Sequence, residues 1–107
     1  MMELNDYQRA ALQTAMEKSP DEMIQYCALG LAGESGEVAE HIKKWWYHGH
    51  GLDREHLAKE LGDCAWYIAV MADVLGFPLE VLLNKNVAKL AKRYPEGFSE
   101  ERSRNRT

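Results

Sequence analysis

Two stretches of this chain repeat apolar residues at helical spacing, and each carries a pair of acids inside its apolar stripe. At about 100° per residue, Leu57, Leu61, Cys64, Ile68, Met71 and Leu75 fall on one stripe, with Val70 and Val74 closing its far side. Glu60, Asp63 and Tyr67 lie within that stripe or on its edge. Upstream, Met23, Ile24, Cys27, Leu31, Val38, Ile42 and Trp45 share a second arc, and Glu34, Glu37 and His41 sit in its middle. A chain with this pattern must pack helices around inward acids.

Each pair is spaced i, i+3, which stacks its carboxylates one turn apart on one helix face. Like charges about 4 Å apart repel by roughly 4 kcal/mol even at an effective dielectric near 20, so four in a shared half-buried space require protons or cations. A position at a helix edge accounts for any single acid. Two in-phase pairs within apolar stripes call for a hard divalent cation, because Mg²⁺ and similar ions take oxygen ligands and also bind substrate phosphates.

The rest of the chain also reads as helix, with no alternating pattern long enough for a strand. Asn5, as N-cap, with Gln8 three residues on, predicts a first helix over residues 5–17 that turns Tyr7, Ala11, Leu12 and Ala15 inward. Ser19, Pro20, Asp21 and Glu22 supply an N-cap, a proline at the first helical position and a capping-box acid, and start a helix that runs to residue 47. Gly30, Gly33 and Gly36 weaken that helix; close approach of a backbone or ligand explains them, and a kink near Gly33 is the competing account. His48–Asp53 reads as a loop, Asp53 as the N-cap of a third helix with His56 at its third position, and Gly76 as the stop. Pro78 opens a fourth helix ending near Tyr94. Its stripe of Leu79, Leu82, Leu83 and Leu90 places Asn86, Lys89 and Arg93 inward, which suits a phosphate chain held between metals and cations. After Pro95 the chain turns polar, giving one domain over residues 1–98 and a flexible tail over 99–107.

Length and charge set outer bounds. With 107 residues the chain has an adequate but small core, which oligomerisation would supplement. A net charge of −4 and a pI near 5.5 argue against a nucleic acid polymer or an anionic membrane as partner. The absence of a leader-like start or a long apolar run predicts a cytoplasmic location. Cys27 and Cys64 sit in apolar stripes without metal-ligand spacing and read as reduced core thiols.

Glu34-Ser-Gly-Glu37, a spacer of 22 residues and Glu60-Leu-Gly-Asp63 resemble the E-x-x-E, spacer, E-x-x-D signature of the MazG-like all-α nucleotide pyrophosphohydrolases, a superfamily that includes the dimeric dUTPases. The run from Asn86 through Lys89, Arg93, Tyr94 and Pro95 to Phe98 is similar to that family's closing N-x-x-K-L-x-x-R-Y-P segment, and the likeness covers residues 20–98. The resemblance implies an all-α bundle of four or five helices, completed as a homodimer or a dimer of dimers. It implies Mg²⁺-dependent cleavage of a nucleoside triphosphate to the monophosphate and pyrophosphate, with Mn²⁺ as an alternative ion. Glu34, Glu37, Glu60 and Asp63 then become metal ligands at the catalytic centre, and Asn86, Lys89, Arg93 and Tyr94 become phosphate or sugar contacts.

In such a reaction the metals neutralise the phosphate oxygens and water attacks the α-phosphorus. Glu37, beside His41 and Lys44, is the acid best placed to take the water's proton. Trp45 and Tyr67 are the candidates for stacking a base, while His48, His50 and His56 read as a solvated loop rather than a zinc site. A di-iron carboxylate bundle needs Glu-x-x-His on two helices, which neither acid pair supplies. A non-catalytic nucleotide- or metal-binding module is the alternative from another class.

Overall fold

The computed structural model describes residues 2–106. These fold into α1 (Leu4–Leu12), α2 (Pro20–Tyr47), α3 (Arg54–Val74), α4 (Leu79–Arg93) and α5 (Glu100–Arg104), and no strand occurs among the described residues. The all-α expectation holds. Among the described residues, no single helix is long and apolar enough to cross a membrane.

Helix α2 begins where its local signals place it. Ser19 Oγ accepts the Glu22 amide at 3.2 Å, and the Glu22 carboxylate returns to Ser19, closing a capping box. The helix runs without a break past Gly33. Asp53 caps α3 by accepting the His56 amide at 3.0 Å. At the far end of α3, Gly76 takes a φ of +86°, the Phe77 amide donates to Ala72 and the Gly76 amide to Asp73, which together form a Schellman stop.

Helices α2 and α3 form the principal packed pair. Gly30 meets Tyr67, Ser35 meets Cys64 and the His41 ring meets the His56 ring, so numbers rise along one helix as they fall along the other. The pair is an antiparallel hairpin. Helix α1 lies across α3 and α4, and the core gathers Ala11, Met23, Cys27, Ala69, Val70 and Leu79, with Tyr7, Leu12 and Ala15 packed against it. Both cysteines are free thiols; Cys27 is fully buried and Cys64 half-buried. Burial pushes the Cys27 thiol above its usual range.

Two readings need correction. Helix α1 has Glu3, not Asn5, at its N-cap and makes no side-chain cap bond there. Asn5 and Gln8 instead serve α4. Asn5 Oδ1 accepts the Glu80 amide at 3.0 Å, and Gln8 Oε1 accepts the Leu79 amide at 2.9 Å while its Nε2 donates to Ala69 and Phe77 carbonyls. The physical cause is Pro78, which starts α4 without a side chain able to accept the first amides. Helix α1 also stops at Leu12 rather than residue 17, because the Thr14 hydroxyl donates to the Ala11 carbonyl at 2.8 Å and the chain tightens into turns.

The second correction concerns the α3 stripe. Leu61, Ile68 and Leu75 are 60, 39 and 52% exposed, whereas Glu60, Ala69, Val70 and Ala72 are buried. One chain covers only part of the stripe. Within residues 99–107, residues 100–104 form the short helix α5, with Ser99 Oγ accepting the Arg102 amide.

Candidate metal centre

The antiparallel α2–α3 pairing brings the acid pairs face to face. Glu34 and Glu37 on α2 and Glu60 on α3 each offer a carboxylate oxygen, and the three oxygens lie within 4.8 Å of one another. Glu60 is 8% exposed, Glu34 is half-buried and Glu37 faces solvent. Among the described residues, Glu34 Oε2 and Glu60 Oε2 are buried oxygens without a hydrogen-bond partner. Since burying an unpartnered acceptor is costly, this donor set fits a hard cation better than it fits empty packing.

The electrostatics agree. The nearness of Glu34 is the largest cause lifting the Glu60 carboxyl to about 7, followed by burial and then by Glu37. Near neutral pH, then, the Glu60 carboxyl is about half protonated unless a cation takes the proton's place.

Asp63, one turn beyond Glu60, stands outside this trio. It joins Glu34 in lining an adjoining cleft of about 360 Å³, with Thr14, Tyr26, Trp66 and Tyr67 as the other walls. Tyr67 lies over Gly30, where an added Cβ would come 2.2 Å from the ring, so Gly30 is the glycine that answers the predicted close approach. Gly33 and Gly36 would meet nothing. Burial raises the Tyr67 phenol first, and then Tyr26, whose ring centre is 5.9 Å away. Trp66 Nε1 donates to Thr14 Oγ1 at 2.8 Å, fixing the opposite wall.

Three neighbours of the centre are not expected from the sequence. His56, expected at the third position of α3 as a solvated residue, stands there with Nε2 3.5 Å from Glu60 Oε1; its i, i+4 spacing to Glu60 is the available signal. Thr14 and Tyr26 carry no comparable signal, because only tertiary packing puts them at the cleft. His41, expected near the acids, accepts the Asp53 amide through Nε2 at 3.0 Å.

The remaining candidates lie elsewhere in the single chain. Trp45 packs edge-on to Trp46 with ring centres 5.4 Å apart and is not part of the acid cleft. Asn86 and Lys89 line a cleft with Phe77, Leu82 and Lys85, and Lys89 and Arg93 line another toward α5. Neither shares a residue with the acid cleft. Tyr94 packs against Phe98 at 5.4 Å between ring centres.

Comparison with known proteins meets this geometry from another direction. The chain is 33% identical over 114 residues to the Gene 37 protein of Mycobacterium phage L5, across 98% of this chain and all of that relative. No solved structure matches it. Residues 22–98 match the MazG nucleotide pyrophosphohydrolase domain, a span that begins in the first turn of α2, takes in the paired acids on both helices of the hairpin and closes on Phe98. By that match, the chain belongs to the MazG nucleotide pyrophosphohydrolase family.

Proposed function

We propose that the protein is a Mg²⁺-dependent nucleoside triphosphate pyrophosphohydrolase that cleaves between the α and β phosphates, releasing a nucleoside monophosphate and pyrophosphate. The observation that carries this reading is the trio Glu34, Glu37 and Glu60, with two buried oxygens lacking partners. Hard carboxylate donors of this kind suit Mg²⁺, with Mn²⁺ as a substitute. Of the four acids, Glu34, Glu60 and Asp63 are the residues that would hold it, and the ion would supply positive charge against the phosphate oxygens and acidify water.

The chain's own residues do the rest. Glu37, the most exposed of the trio, takes the proton of the attacking water in place of ligating the ion directly. Its neighbours His41 and Lys44 follow on the same face of α2. Tyr67, held over Gly30 at the cleft wall, offers a ring for stacking the nucleoside. Trp45 serves the base from a neighbouring surface. Asn86, Lys89, Arg93 and Tyr94 take the phosphates and sugar, with the cations neutralising the departing pyrophosphate.

Because α4 lines clefts separate from the acids, those phosphate contacts come from a second copy in a homodimer or a dimer of dimers. The exposed apolar line Leu61, Ile68 and Leu75 on α3 and the exposed Leu29 and Trp46 on α2 form the self-association surface. Residues 1–98 act as one catalytic domain with 99–107 appended, in the cytoplasm, where the nucleotide pool lies.

The test is incubation of the purified chain with a panel of canonical and modified nucleoside triphosphates, in Mg²⁺ and then in EDTA, with products separated by chromatography. Monophosphate plus pyrophosphate, lost in EDTA and in Glu60→Gln, is the expected result. Nucleotide-dependent stabilisation without turnover would instead identify a binding module.

A further inference from the structure

The chain reverses after α4. The Gly97 amide donates to the Tyr94 carbonyl at 3.1 Å, Gly97 takes a φ of +91°, and Ser99 then caps α5. This turn brings α5 back toward α4, and the two line an open cleft of about 560 Å³, within the range of small-ligand sites. Lys89, Lys92, Arg93, Arg102 and Arg106 line it, and Glu101 is the one acid among its lining residues.

Charge is unevenly spread along the chain. Residues 85–107 hold seven of the thirteen Lys and Arg and three of the seventeen Asp and Glu, so a molecule of net charge −4 has a cationic end. Among the described residues, none of the five cleft cations takes part in an ion pair. Arg104 is different: it pairs with Glu100 at 4.0 Å and does not line the cleft. Lys89, Lys92, Arg102 and Arg106 are exposed and Arg93 is half-buried, so water screens their repulsion while their summed positive potential draws an anion to the cleft. Guanidinium groups match phosphate oxygens in two-pronged fashion and ammonium groups add point charge, which makes an extended phosphate chain the fitting occupant.

We propose that α4 and α5 form a binding site for a phosphate chain, in which Arg102 and Arg106, both beyond the family match at residues 22–98, close on the anion from α5 while Lys92 flanks it from α4. The proposal rests on the reading of Lys89 and Arg93 as phosphate-binding residues and adds an arm carried by the end of this chain. Two sources share the chemistry, a free inorganic polyphosphate and the triphosphate of a nucleotide.

Calorimetric titration of the full chain in EDTA, with inorganic tripolyphosphate in one arm and a nucleoside triphosphate in the other, separates them while keeping divalent ions from the acid cluster. Saturable binding at one site per chain is expected. Arg102→Ala or Arg106→Ala should weaken it about tenfold or more, and Arg104→Ala, an equal loss of charge on the same helix, by less than about twofold. Binding in either arm with that dependence supports the site and names its ligand. The site is overturned by no saturable binding, by an equal loss in Arg104→Ala, which would mean a diffuse field, or by tighter capture of a single-stranded oligonucleotide. Turnover of nucleoside triphosphates in Mg²⁺ is read in parallel. Turnover without anion binding removes the α5 site and leaves the hydrolase reading; anion binding without turnover does the reverse.

Discussion

His41 on α2 accepts the backbone amide of Asp53 through Nε2 at 3.0 Å, and Asp53 in turn accepts the His56 amide that begins α3. One imidazole therefore ties the end of the α2–α3 loop to the helix bearing Glu34 and Glu37. The bond fixes where α3 starts, and Glu60 lies less than two turns further on.

Removing that acceptor with His41→Leu should destabilise the protein by about 0.5–1.5 kcal/mol, since water can reach the exposed Asp53 amide. Asp53→Ala should cost about 1 kcal/mol through loss of the helix cap. Because both act on the start of α3, their effects should be less than additive in urea denaturation of the double variant. Strict additivity would show that the two bonds hold different things.

Gly30 and Tyr67 offer a sharper test. In a helix interior Ala is favoured over Gly by about 1 kcal/mol, yet a Cβ at Gly30 would come 2.2 Å from the Tyr67 ring. Gly30→Ala should therefore gain close to its full helix benefit when Tyr67 is also alanine, and little or nothing when Tyr67 is present. Thermal denaturation of the four proteins in the cycle measures the coupling. In the hydrolase assay, Gly30→Ala alone should raise KM for the nucleotide, because the displaced ring forms one wall of the cleft.

Much of this architecture is legible in local signals. The capping box at Ser19 and Glu22, the cap at Asp53 and the stop at Gly76 each act within a few residues, so the bounds of α2 and α3 follow from the sequence. The acid trio is legible because helical period alone fixes which face Glu34, Glu37 and Glu60 occupy, and two facing acid stripes leave few ways to pair. Asn5 and Gln8 were misread because their partners, Glu80 and Leu79, lie more than seventy residues away. A pattern scored within one helix cannot detect that α4 lacks a cap of its own. Tyr26 and Thr14 reach the cleft for the same non-local reason.

The exposed α3 line yields a prediction about assembly. Leu61 and Ile68 stand one heptad apart on the outer face, 60 and 39% exposed, where a single chain gains nothing from them. A charge at a buried interface loses its solvation, so Leu61→Glu and Ile68→Glu should shift the protein to a smaller species in sedimentation velocity and abolish turnover. In the single chain, substitution at exposed positions should leave helicity by circular dichroism largely unchanged. An unaltered sedimentation profile would move the interface to another face.

Glu60 predicts an unusual pH dependence. In the folded, metal-free chain its carboxyl keeps a proton up to about 7, against 4.5 for the ordinary group. Between those values the folded state binds more protons than the unfolded state, so stability falls as pH rises. The contribution is fully present below about 4.5 and is lost as pH passes through about 7. Glu60→Gln retains the shape and cannot ionise, so in EDTA its melting temperature should lack this component of the fall and should exceed that of the parent chain at pH 8. With Mg²⁺ the order should reverse, because the ion requires the deprotonated carboxylate and stabilises the parent by mass action. Melting curves of both proteins at pH 5 and pH 8, with and without Mg²⁺, decide the matter. If the parent and Glu60→Gln respond identically to pH in EDTA, the Glu60 carboxyl is not held protonated to about 7; if they respond identically to Mg²⁺, Glu60 does not hold the ion.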